Sequence, residues 1–291
     1  MEPISKIVFG LLNGVVWGTV LALLSSGLNV VFGLMGTVNV AHGSLYMLGA
    51  YLAWICFQFL GSFWFSLVIS PLVVGVIGIV IGLVLRPVRK DPILAVLATF
   101  GVTLVLQGSA LFFWSGTPRR VPVPIEQSFS LFGTGYSLYR VIVGVLSGLI
   151  LLLLWFLVER TRFGLRLRAA REDAELGSAI GLPVLNLFLL GFGLGGVLAG
   201  TSGALIAPLV SLTPGMGLRV FAIVFLIVII GGLGRIWHSV VAAVSFAVFR
   251  GLASVFLDST KGLILTFFFA LIVILINPES FPRSRRSATE N

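Results

Sequence analysis

The chain has 291 residues, 58% of them hydrophobic and only 10% charged, with a mean hydropathy of +1.14. A water-soluble domain carries roughly 25% charged residues, so this balance excludes a soluble globule. The net charge of +9 would suit a nucleic-acid partner, but its distribution along the chain reads as membrane topology instead.

Apolar runs occur near 7–22, 24–41, 44–60, 63–85, 92–114, 140–158, 184–207, 221–234, 238–257 and 262–277, and each approaches the ~20 residues that cross a ~30 Å hydrocarbon core. Stretches such as residues 148–154 do not alternate polar and apolar side chains, which excludes a β-barrel. The pattern predicts an all-α polytopic transmembrane bundle of about 8–10 spans, nine if the first two runs form one long tilted helix. No small-residue cleavage site follows the first run, which reads as a retained span and not a signal peptide. Cys56, the single cysteine, lies in an apolar run, so no disulfide can form within one chain.

The stretch GLMGTVNVAHGSLYMLGAY, residues 33–51, places Thr37, Asn39, His42 and Ser44 among Gly33, Gly36 and Gly43. Two readings fit: a tight inner turn with His42 at headgroup level, or a broken helix lining a translocation path or its gate. A second interruption falls at Thr213, Pro214, Gly215, Met216 and Gly217. Asn13 precedes Ala41 by 28 positions and Asn186 precedes Gly215 by 29, which suggests an inverted repeat with helices broken at 36–43 and 213–217.

Lys and Arg divide unequally between the two sets of loops. Arg86, Arg89, Lys90, Arg160, Arg162, Arg166, Arg168, Arg171, Arg235, Arg283, Arg285 and Arg286 make 12 on one side, against 5 on the other (Arg119, Arg120, Arg140, Arg219 and Lys261). The richer side is expected to be cytoplasmic, where basic residues also meet anionic headgroups. The outer loop 117–139, with Pro118, Pro122 and Pro124, reads as irregular. The inner segment 159–183 reads as a short amphipathic helix ended by Gly181, Leu182 and Pro183. Gly14/Gly18, Gly78/Gly82, Gly144/Gly148, Gly191/Gly195 and Gly196/Gly200 have the spacing that lets membrane helices pack closely.

An enzyme is disfavoured. The chain has no phosphate-binding Gly-rich loop with its Lys, and its only lysines are Lys6, Lys90 and Lys261. Its two histidines, His42 and His238, are too far apart in sequence for a zinc-protease motif. No apolar span holds a carboxylate, which also weakens a proton-coupled carrier. Arg250 is the one charge inside a span. It reads either as a side chain snorkelling over about seven residues, ~10 Å, to the outer interface or as part of a polar cavity.

Residues 27–51, and the Asn-x-Ala-His-Gly core at 39–43 in particular, resemble the permeases of branched-chain amino acid ABC importers of the LivH type. The likeness continues through residues 97–101 and 163–169 and on to Gly181, over nearly the whole chain. Two features depart from it: the tail at 277–282, and Arg250 where an acidic residue is expected.

The resemblance implies one transmembrane domain over 1–291, a cytoplasmic coupling loop at 159–183 and a cytoplasmic tail at 278–291, in the bacterial plasma membrane. It implies two cytoplasmic ATPase subunits that use ATP, a second LivM-like permease or a second copy, and an extracytoplasmic solute-binding protein. No cofactor on the chain itself is implied. Thr37, Asn39, His42, Thr99, Thr103, Gln107, Thr201 and Ser202 are the candidate path. Gly164, Arg168, Ala169, Glu172, Asp173 and Gly181 are the candidate coupling residues. Branched-chain amino acids are the implied cargo, with urea or short amides as the alternative within the class and a secondary transporter as the alternative outside it.

Overall fold

The structure, a computed structural model, describes residues 2–36, 38–89, 91–131 and 134–276. In chain order the helices are α1 (Glu2–Met35), α2 (His42–Leu60), α3 (Ser66–Leu85), α4 (Pro92–Trp114), α5 (Leu138–Arg160), α6 (Arg162–Glu172), α7 (Ala174–Ala179), α8 (Val184–Ile206), α9 (Met216–Gly231), α10 (Ile236–Phe256) and α11 (Ser259–Ile276). A hairpin of β1 (Ser128–Leu131) and β2 (Thr134–Ser137) precedes α5. Among the described residues, α1 to α5, α8 and α10 are long and apolar enough to cross a bilayer, and two shorter apolar helices, Met216–Gly231 and Thr260–Ile276, join them. The protein is an all-α polytopic membrane protein.

One alternative left open by the sequence is decided, and two elements differ from the expectation. The run at 7–22 and the run that starts at 24, as far as Met35, are one helix: no proline or glycine lies at 21–24, where all four residues are buried, so nothing interrupts the hydrogen-bond ladder there. At 34 residues α1 extends ~51 Å, a length that a bilayer accommodates by tilt. The inner segment is two helices, because the Asp173 carboxylate accepts from the N–H groups of Glu175 and Leu176 (3.0 and 2.9 Å) and starts α7 afresh. The outer loop is not wholly irregular, since Ser128 to Leu131 pair antiparallel with Ser137 to Thr134.

Close packing uses the glycines. Along α1, Gly10, Gly14 and Gly18 face Gly251, Val248 and Val244 of α10. Along α3, Gly75 and Gly78 face Val197 and Phe192 of α8, and Gly200 faces Val74. A Cβ on Gly14 would lie 2.6 Å from the Val248 Cα, and one on Gly78 2.5 Å from the Phe192 carbonyl oxygen. Lipid tails are as apolar as leucine, so such van der Waals contact is the main source of attraction between these helices.

The packing is two-fold in plan. Exchanging α1 with α8, α2 with α9, α3 with α10 and α4 with α11 carries α1–α10 onto α8–α3, α2–α3 onto α9–α10, and α2–α4 onto α9–α11. Direction inverts as well. Asn13 of α1 meets Arg140 while Gly33 meets Arg171, so α1 runs toward the arginine-rich end, from which α8 departs.

Replacing Gly14 or Gly78 by Leu should therefore lower the melting temperature in detergent by several degrees, reflecting an overpacking cost of ~1–3 kcal/mol. Gly148→Leu, at a position open to its surroundings, should leave it unchanged; fluorescence-detected size exclusion after heating reads both.

Candidate functional site

The first helix break returns into the protein. Gly36, in the left-handed region (φ +68°), ends α1, its N–H bonded to the Phe32 carbonyl at 2.8 Å. By His42 the chain has climbed back beside α1, where the His42 Nε2–H donates to the Leu24 carbonyl (2.9 Å), eleven residues or ~16 Å from the end of that helix. Non-helical backbone at such depth needs partners, and the polar side chains supply them. The Val40 N–H donates to Thr99 Oγ1 of α4 (3.2 Å), the Ala41 N–H to Asn39 Oδ1 (3.1 Å), and the His42 N–H to the Asn39 carbonyl (3.2 Å).

The second break meets the first. Residues 207–209 form one tight turn after α8, Leu212 pairs both ways with Arg119 of the outer loop (2.8 and 3.0 Å), and α9 opens with the Met216 N–H on the Thr213 carbonyl (3.0 Å). The N-terminal turns of α2 and α9 then touch. A Cβ on Gly217 would lie 2.7 Å from the Gly43 carbonyl oxygen, and one on Gly43 would strike the Gly217 carbonyl. Both helices thus aim positive dipole ends at one crossing. Beside it, Asn39 Nδ2 and His42 Nδ1 are buried without a hydrogen-bond partner among the described residues.

Of the candidate path residues, the structure gathers Asn39, His42 and Thr99, all buried, and places buried Thr103 one turn along, its hydroxyl on the Thr99 carbonyl (3.0 Å). Gln107 is half-buried further along α4. Thr201 and Ser202 are buried in α8 and return their hydroxyls to the Val197 and Leu198 carbonyls (2.7 and 2.8 Å), with no hydrogen bond to the Asn39 group. Thr37 lies outside the described residues, as does the tail at 278–291.

At the arginine-rich end, α6 folds back under α5. Thr161 caps it by accepting from the Gly164 N–H (3.2 Å), and Gly164 packs so closely on the Val158 carbonyl that a side chain cannot fit. Arg168 is turned onto α5, donating to the Val158 carbonyl and to Glu159 Oε2 (3.0 Å). Ala169 and Glu172 are exposed, Asp173 is the α7 cap, and Gly181 holds φ +86° at the turn into α8. Three large apolar side chains stand outward here: Leu165, Leu176 and Ile180 are 61, 61 and 71% exposed. Beside them a groove of about 910 Å³ runs between α6, α7 and the start of α8, lined in part by Arg89, Glu175, Ser178 and Asn186.

A second network was missed by the sequence reading. Asn29, buried in α1, accepts from the Gly234 N–H (2.8 Å) and donates to Ser239 Oγ (2.6 Å), while Arg171 of α6 donates to the Gly234 carbonyl. The α9–α10 turn is thereby held between α1 and α6. The available signal was an amide in an otherwise apolar run.

Residues 10–276 match the family described as the branched-chain amino acid transport system permease component. The chain is 26% identical to the high-affinity branched-chain amino acid transport system permease protein BraD of Pseudomonas aeruginosa, over 92% of this chain and 93% of that one. It is 23% identical to the corresponding LivH of Escherichia coli, over 91 and 92%. It is 28% identical to LivM of Salmonella typhimurium, over 79% of this chain and 60% of that protein. No solved structure matches the chain.

Thr99→Val should strand the Val40 N–H and lower stability by ~1–3 kcal/mol. Thr201→Val, which removes only a bond within its own helix, should cost far less; thermal unfolding in detergent compares the two.

Proposed function

The chain belongs to the branched-chain amino acid transport system permease family, and from that premise we propose that it is the membrane subunit of an ABC importer carrying leucine, isoleucine and valine. Two ATPases on the arginine-rich side, a second permease of LivM type or a second copy of this chain, and an external solute-binding protein complete the assembly. The positive-inside bias supports a cytoplasmic α6–α7 side and C-terminus in a bacterial cell. The similarity to both LivH and LivM proteins supports a pair of related permeases.

The crossing of the two helix breaks carries this reading. Two helix N-termini and the Asn39 amide offer an amino acid carboxylate partial positive charge and a donor without a fixed cation. His42 Nδ1, left bare because Nε2–H is on the Leu24 carbonyl, offers an acceptor to the ammonium. Thr99 and Thr103 continue the polar strip along α4. Such a site binds weakly enough to release its cargo, and selectivity then rests with the binding protein. Gly43 and Gly217 are in contact, so passage at this crossing requires α2 and α9 to part.

Energy enters from outside the chain. No Asp or Glu occupies the middle of a span, and no nucleotide-binding loop is present, which fits a permease that is not itself an enzyme and needs no cofactor of its own. We assign the 159–183 segment to ATPase docking: Leu165, Ala169, Leu176 and Ile180 give the contact face, with Glu172 beside them. Gly164 and the Arg168–Glu159 pair make α6 rigid with α5. Movement of α6 reaches the bundle through Arg171 and the Gly234 turn to Asn29, a shift of packed elements rather than a flexible tether.

Proteoliposomes holding the chain with its ATPases, partner permease and binding protein should take up labelled leucine only with internal ATP. Valine should compete, and urea and acetamide should not; competition by the amides alone would transfer the substrate assignment to them. Gly164→Pro should abolish uptake while membrane insertion persists, and Arg168→Glu should do the same by placing a carboxylate against Glu159. Normal uptake by both variants would remove the coupling assignment.

A further inference from the structure

Arg250, the one charge within an apolar run, has a polar surrounding. It lines a cavity of about 310 Å³ between α1, α5, α10 and α11, together with Asn13, Trp17, Arg140, Ser254 and Leu263. Two guanidinium groups, one from the outer end of α5 and one from within α10, thus line one cavity. Arg140 donates to Asn13 Oδ1, to which the Tyr136 hydroxyl also donates (3.5 Å), so that amide is oriented by the loop hairpin. Arg250 makes no hydrogen bond or ion pair among the described residues. Among the described residues no carboxylate lines the cavity, and Asp258, just before α11, is paired with Lys261 at 3.1 Å.

Charge of one sign in a membrane, without its counterion, marks a ligand. Guanidinium forks match the paired oxygens of a carboxylate or a phosphate. A zwitterionic amino acid would find partners for its carboxylate here and none for its ammonium, so the transported cargo fits poorly. An acylated anion fits both halves of the site. Trp17, Leu21 and Leu263 wall the cavity, and next to Leu263 the outer surface of α11 presents Ile264, Leu265 and Phe268, 64, 40 and 58% exposed.

We propose that this cavity binds the phosphodiester headgroup of an anionic phospholipid from the leaflet on the Arg140 side, with its acyl chains along α11. The lipid would neutralise Arg250 and join α11 to α1 and α5, which otherwise face each other across the space. The inference is independent of the transport assignment, since lipid retention is read without ATPases, binding protein or uptake.

Native mass spectrometry of the full chain in mild detergent, mixed with phosphatidylglycerol or phosphatidylcholine, tests it. Phosphatidylglycerol should be retained in preference to phosphatidylcholine, and its adduct should fall about tenfold in Arg250→Gln and further in Arg140→Gln/Arg250→Gln. Arg250→Lys, which keeps the charge, should retain an intermediate amount, and this separates lost binding from lost folding. Millimolar inorganic phosphate should not displace the lipid. Equal retention of the two lipids, an adduct unchanged by the glutamine variants, or displacement of the lipid by inorganic phosphate would each overturn the proposal, the last by making a soluble oxyanion the occupant.

Discussion

A peptide group in hydrocarbon has no water to bond, and each one left unsatisfied costs several kcal/mol. That constraint organises this protein. Most of its backbone meets the demand within continuous helices; the stretch between α1 and α2 cannot. There the requirement falls on Asn39, Thr99 and the carbonyl of Asn39, which take the N–H groups of Ala41, Val40 and His42. The second break is satisfied differently, by backbone pairing of Leu212 with Arg119. The polar residues that look expensive in the sequence are therefore what makes non-helical chain tolerable at depth, and tolerable non-helical chain is what a gate needs.

The inverted arrangement follows from where the two breaks lie. Two hairpins of opposite direction, each entered by a long helix and broken before the next, can bring their breaks together only if the entering helices pack closely. Gly27 against Gly195 provides that contact between α1 and α8, and Gly43 against Gly217 repeats it between α2 and α9. The halves then separate in role. The break after α1 lies near the arginine-rich end with α6 and α7, whereas the break after α8 is tied to the loop at the opposite end. Asn29, Gly234 and Arg171 connect the first of these regions to the segment proposed to dock ATPases.

Much of this was legible in the residues. The spans, both breaks and the amphipathic inner segment come from hydropathy and from polar residues where lipid is expected, because those patterns report directly on the solvent each residue meets. The continuity of α1 is not a hydropathy property: it depends on the absence of a breaker near residue 23, which a window average blurs. Asp173 as a cap reads in the sequence as just another acid in an acidic cluster. The halves also share a signal smaller than overall identity: Ser25-Ser26-Gly27 in α1 and Thr201-Ser202-Gly203 in α8, each with its glycine against a neighbouring helix, Gly27 at His42 and Gly203 at Tyr46 of α2. Thr201 and Ser202 as path residues, and the Asn29–Gly234 bond, depend on which way a side chain faces, and one polar residue in an apolar run does not fix that.

A gate at the crossing of α2 and α9 is tested most directly by cysteine accessibility at Ala41, which is fully buried. With Cys56→Ala removing the one native thiol, Ala41→Cys in the assembled transporter should resist a membrane-impermeant maleimide in one nucleotide state of the ATPases and react in the other. Labelling at the same rate with and without ATP, or none in either state, would contradict a gate at this crossing.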